Sequence, residues 1–192
     1  MPLTIGLTGG IAAGKSEALA AFSRLGAATL SSDAVVHELL DSEPLVGRLV
    51  ERWGADVAPA GTVDRARIGE IVFADPDQLT WLEQQIHPLV GERIGSWLAT
   101  LPAGTELAVI EVPLLFESGM EKAFDTTVAV VAEDAVRRQR AAARGHALVG
   151  EREARQLDQG EKADRAEHTV VNDGSIEELE QALSVLIERL RR

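Results

Sequence analysis

The sequence predicts an α/β fold: a doubly wound, parallel sheet of five strands, with a helical insertion and a lid. Three observations carry this expectation. Short apolar runs alternate with stretches of helical periodicity, the pattern of β-α-β units, whose crossovers make the strands parallel. The first apolar run, Leu3 to Leu7, leads directly into Gly9-Gly10-Ile11-Ala12-Ala13-Gly14-Lys15-Ser16 and then into a helical pattern. Two blocks interrupt the alternation, one wholly helical and one strongly charged.

Composition narrows the class. The chain has 192 residues, 45% hydrophobic and 26% charged, enough for one domain with a sizeable core. It has no cysteine, which excludes disulfides and thiolate metal sites. A net charge of −12 argues against nucleic-acid and anionic-membrane binding. No stretch has the apolar length of a membrane span, and no basic, apolar leader opens the chain. A cytoplasmic protein is expected, a monomer with weak self-association left open.

Each element follows from its residues. Ala18, Leu19, Phe22 and Leu25 repeat at helical spacing until Gly26. Ala27 to Leu30 reads as the second strand, ending at Ser31-Ser32-Asp33. Asp33 either lines the crevice at the strand end or caps the next helix; spacing alone favours neither. Residues 42 to 100 carry apolar stripes of helical period. Asp64 and Asp75-Pro76 mark helix starts, and Pro88 is expected to kink or divide the last helix. Gly54 to Thr62 is the loosest stretch. Leu107 to Val112 and Thr126 to Ala132 are buried strands, and Pro113-Leu114-Leu115-Phe116-Glu117 follows the first of them. His168 to Val171 is the last strand. Ser175 and Glu178 form a capping box for the closing helix.

Gly9 to Ser16 fits G-x-x-x-x-G-K-[ST], and it lies between a strand and a helix, as a P-loop does. Glycines let backbone N–H groups approach phosphate, and the helix N-terminus adds donors and a positive dipole end. Gly9, Gly10, Ala12, Ala13, Gly14, Lys15, Ser16 and Glu17 are therefore candidate ATP contacts. Lys15 is expected on the β- and γ-phosphates, and the Ser16 hydroxyl on Mg²⁺. Residues 133 to 167 hold eight basic side chains interleaved with glutamates. Such runs are often solvated helix faces. In a P-loop protein, Arg140 and Arg144, four apart before Gly145, also suit a lid that carries cations to the transferring phosphate. Asn172 is the sole asparagine and lies past a strand end, where nucleotide bases are often contacted. The fold expected is thus of the P-loop NTPase type, on the plan of a small kinase.

Several of these segments occur in one order: Leu7-Thr8-Gly9-Gly10-Ile11, Asp33 ahead of His37, His87-Pro88-Leu89-Val90, Pro113-Leu114-Leu115-Phe116-Glu117 and Asn172-Asp173-Gly174-Ser175. Together they resemble the dephospho-CoA kinase family over nearly the whole chain. The resemblance implies transfer of the γ-phosphate of ATP to the ribose 3′-hydroxyl of dephospho-CoA, with Mg²⁺ accompanying ATP. It implies a core of residues 1–33, 101–136 and 166–192, a CoA-binding insertion of 34–100 and a lid of 137–165. Asp33 matches the catalytic base, Lys15 and Arg140 the other catalytic groups, and Arg144 and Asn172 further ATP contacts. Asp33, His87 and Leu114 match the acceptor side. The chain departs from the family at Ala12 (usually glycine), Glu17 (usually a hydroxyl residue), Ser31 (usually acidic) and Gly91 (commonly arginine). Alanine suits position 12 only if φ there is negative. The competing expectations are a P-loop kinase for a nucleoside or other small alcohol, and an ATP-binding module that drives a partner.

Overall fold

A computed structural model describes residues 1–143 and 156–191. The chain forms two compact units, Met1–Ser31 with Leu101–Arg192, and Ser32–Thr100. In chain order the first unit opens with β1 (Leu3–Gly9), α1 (Lys15–Arg24) and β2 (Ala28–Ser31). The second unit supplies α2 (Ser32–Leu40), α3 (Glu43–Trp53), α4 (Arg65–Ala74) and α5 (Pro76–Thr100). The first unit then resumes with β3 (Leu107–Glu111), β4 (Thr126–Val131), α6 (Asp134–Ala143), α7 (Gln159–Arg165), β5 (His168–Val171) and α8 (Ile176–Leu190).

The five strands form one sheet in the order β2-β3-β1-β4-β5, and every pairing is parallel. β1 is central, and Ile5 and Leu7, which share one face of the strand, are fully buried in the same core as Val109 of β3 and Val128 and Val130 of β4. Leu7 stands in register with Glu111 on one side and Val128 on the other. The carboxyl ends of β1, β3 and β4 therefore finish at one edge. The chain leaves β1 toward β2 on one side and later fills β4 and β5 on the other, so this edge is the topological switch point where α/β sheets bind ligands. Phe22 of α1 and Leu179 and Leu183 of α8 seal one face, all buried.

In the second unit the expected helix starts are present. The Asp64 side chain accepts from the Arg67 amide at 3.0 Å, and α5 begins at Pro76 after Asp75. Pro88, expected to kink or divide the last helix, does not divide it: it lies inside a continuous α5. Its ring is exposed, while Leu82, Ile86, Val90 and Ile94 are buried at spacings of four on both sides of it. Packing of that stripe offsets the single backbone bond that proline forfeits. Trp53 and Trp81 meet edge to face at 5.1 Å, joining α3 to α5. The loose stretch after Gly54 folds into two short 3₁₀ turns, Ala55–Val57 and Pro59–Gly61.

Candidate phosphate-binding site

The loop between β1 and α1 is a tight turn followed by a helix start. Ala13 donates its N–H to Gly10 O at 3.2 Å, closing a four-residue β-turn, Gly10 to Ala13. The turn has positive φ at its third residue only: Ala12, φ 59°. That is the type II pattern, which favours glycine there. The condition that would make alanine easy, a negative φ, is not met. Left-handed backbone costs an alanine about 1–2 kcal/mol. Gly9 and Gly14 also have positive φ, and both are closely approached. A Cβ at Gly9 would collide with the Val130 carbonyl, and one at Gly14 with the Asn172 amide.

Lys15, the first residue of α1, folds back over the loop, its Nζ donating to Gly9 O at 3.2 Å and Gly10 O at 3.0 Å. Ser16 is exposed in the first turn of α1. Glu17 turns away from the loop and pairs with Arg24 at 3.0 Å. Arg24 also pairs with Glu180 at 2.9 Å, and these two carboxylates raise its pKa further. The phosphate repulsion that an inward Glu17 would cause is thereby avoided.

α6 brings two arginines to this loop. Arg140 Nη1 donates to Asn172 O at 2.8 Å and to Ala13 O at 3.4 Å. Arg137, which the sequence did not single out as a site residue, donates its Nε to Ile11 O at 2.9 Å and pairs with Asp134 at 3.0 Å. Its one visible signal was position, one helical turn before Arg140 on the same face. Asn172 is buried, and its Nδ2 donates to Ala13 O at 2.8 Å. The side chain expected near a base is thus engaged with the loop. Arg144 and Gly145 lie outside the described residues.

The turn after β3 adjoins the same loop. Thr8 Oγ1 donates to Pro113 O at 3.3 Å, and Leu114 is 37% exposed. Lys162 of α7 is fully buried, donating to Pro113 O at 2.6 Å and pairing with Glu117 Oε1 at 3.0 Å. Burial holds the Lys162 pKa below the ordinary lysine value, although Glu117 opposes the shift. Gln159, also on α7, brackets the end of β4: its Oε1 accepts from Ala132 N at 3.1 Å, and its Nε2 donates to Ala132 O at 2.8 Å. Neither Lys162 nor Gln159 was expected as a site residue. Gly10, Ile11, Arg137 and Gln159 share the wall of one cavity of about 570 Å³ with the 156–160 segment.

Two candidates belong to the second unit. Asp33 is exposed in the first turn of α2, which begins at Ser32, so it is not the cap that spacing allowed. His87 is exposed on α5 beside Pro88, with open space around Gly91. Arg93, two residues after Gly91, pairs with Glu38 at 3.4 Å.

A strand-loop-helix phosphate cradle at the switch point of a parallel sheet, with a lysine over it and arginines beside it, defines a P-loop kinase. A family model described as dephospho-CoA kinase matches residues 3–178. A dephospho-CoA kinase of Synechococcus sp. (strain CC9902) is 36% identical over 189 residues, covering 95% of this chain and 94% of that one. The crystal structure of TT1252 from Thermus thermophilus superposes with a TM-score of 0.84 at 34% identity, covering 98% of each chain. A dephospho-CoA kinase from Campylobacter jejuni shares the fold, with a TM-score of 0.70 at 22% identity, covering 99% of this chain and 98% of that one. The chain belongs to the dephospho-CoA kinase family. Among the described residues no helix is long and apolar enough to cross a membrane.

Proposed function

We propose that the chain transfers the γ-phosphoryl group of ATP to the ribose 3′-hydroxyl of dephospho-CoA, giving coenzyme A and ADP. The observation that carries this is the family match over residues 3–178, on a chain whose P-loop keeps its glycines, lysine and serine at motif spacing. In the transfer the 3′-oxygen bonds to the γ-phosphorus, the bond to the bridging β,γ-oxygen breaks, and ADP leaves. Asp33 takes the hydroxyl proton, since a ribose hydroxyl is a weak nucleophile until a carboxylate accepts or orients its hydrogen. Lys15, with backbone N–H groups of the loop, neutralises charge on the β- and γ-phosphates. His87 and Leu114 contact the acceptor. Mg²⁺ bound with ATP would offset charge on the phosphates. A hard cation that keeps most of its ligands as water and phosphate oxygens needs little from the protein, and the exposed Ser16 hydroxyl is what this loop offers. Residues 34–100 form the acceptor-binding insertion, and 137–165 the lid.

The test is an assay of purified protein with ATP, Mg²⁺ and either dephospho-CoA or a panel of nucleosides. Coenzyme A and ADP are expected in equal amounts, and only with dephospho-CoA. Transfer to nucleosides alone, or ADP release that ignores the acceptor, would overturn the assignment.

A further inference from the structure

We propose that Arg137, Arg140 and Asn172 are positioning residues that hold the phosphate loop in shape by gripping the carbonyls of Ile11 and Ala13, the residues before and after Ala12. The inference rests on the kinase assignment for its purpose, and on loop geometry for its content. Ala12 is the sole positive-φ residue among the described residues that is not glycine. It sits at the third position of a turn that needs that conformation, between two carbonyls that are both engaged. Ile11 O accepts from Arg137 Nε at 2.9 Å. Ala13 O accepts from Asn172 Nδ2 at 2.8 Å and from Arg140 Nη1 at 3.4 Å. Strained backbone persists only where its surroundings over-determine it. Here one donor set lies on each side of the strained residue. Arg140 also donates to the Asn172 carbonyl at 2.8 Å, which ties two of the three together.

The alternative role for these arginines is direct contact with the phosphates of ATP. The two roles differ in one respect. If Arg137 works by holding a strained alanine, removing the strain should remove much of the need for Arg137. If it works on the nucleotide itself, position 12 should not matter.

The experiment is a double-mutant cycle between Ala12→Gly and Arg137→Met, repeated with Asn172→Ala in place of the Arg137 change. ATP affinity is read by calorimetry and KM for ATP by turnover, with thermal unfolding as the check on folding. In the wild-type background Arg137→Met is expected to weaken ATP binding about tenfold; in the Ala12→Gly background the same change should cost about threefold or less, since glycine accepts the turn unaided. Asn172→Ala should follow the same pattern. Equal losses in the two backgrounds, for both substitutions, would overturn the proposal. Calorimetry reads nucleotide affinity without an acceptor, so the cycle decides the matter even if dephospho-CoA is not what wild-type protein phosphorylates.

Discussion

Replacing Lys162 by methionine should be among the most damaging single changes outside the phosphate loop. The ammonium group is fully buried, donates to the Pro113 carbonyl at 2.6 Å and pairs with Glu117 at 3.0 Å. Methionine fills most of the volume but leaves the Glu117 carboxylate in the interior without its counter-charge. Its second oxygen, Oε2, is buried and has no hydrogen-bond partner among the described residues. Stranding a buried charge typically costs about 3–5 kcal/mol. Glu117 Oε1 still accepts from the Leu157 amide at 2.9 Å, so the lower end, about 3 kcal/mol, is the appropriate expectation. For a chain of this size, about 2–4 °C per kcal/mol puts the fall in Tm at about 6–12 °C. Urea unfolding and differential scanning calorimetry measure it. The double change Lys162→Met with Glu117→Leu removes both charges and should return to within about 1 kcal/mol of wild type, because an apolar pair replaces an ion pair that had little net value. The reasoning is refuted if the single variant loses under about 1 kcal/mol, or if the double variant is no more stable than the single one.

Three other outcomes are expected. Asp33→Asn should lower turnover steeply while calorimetric ATP affinity stays near wild type; unchanged turnover would remove Asp33 as the base. Gly14→Ala puts a Cβ onto the Asn172 amide at a positive φ, and should cost about 2 kcal/mol of stability together with much of the ATP affinity; thermal unfolding and calorimetry check both. Asp125 accepts from the Thr4 amide and hydroxyl, both at 2.8 Å, and these bonds hold its pKa below the ordinary 3.8. A depressed carboxylate contributes stability that is complete above 3.8 and fades as pH falls through the lowered value. Asp125→Asn should therefore lose stability at neutral pH yet show a shallower loss on acidification to about pH 3, read as urea midpoints at the two pH values.

Much of the fold was legible because its signals are local. β3 and β4 are short, mostly apolar runs, and a strand needs little more to be noticed when helices flank it. The capping box Ser175–Glu178 closes on itself within four residues. The site was legible where a motif compresses it, at Gly9 to Ser16. It was illegible where partners are distant in sequence. Glu117 and Lys162 are two charges among many on a chain that is 26% charged, and nothing in their spacing says they meet. Arg137 looked like one more arginine on a charged helix, because its contact with Ile11 depends on how α6 docks. Pro88 does not divide α5, for the opposite reason. The local rule against proline in a helix is sound, but burial of apolar residues on both sides outweighed it. Ala12 lay between: its conformation follows from the turn, and the turn became visible only with the Ala13 to Gly10 bond.

The bonds from Asn172 and Arg140 to Ala13 join segments 159 and 127 residues apart. Ribosomal synthesis delivers Ala13 of the loop 159 residues before Asn172. A nascent chain therefore carries the complete nucleotide motif long before it carries the groups that shape it. The bond from Asn172 to the loop can form only once β5 has been added to the sheet edge.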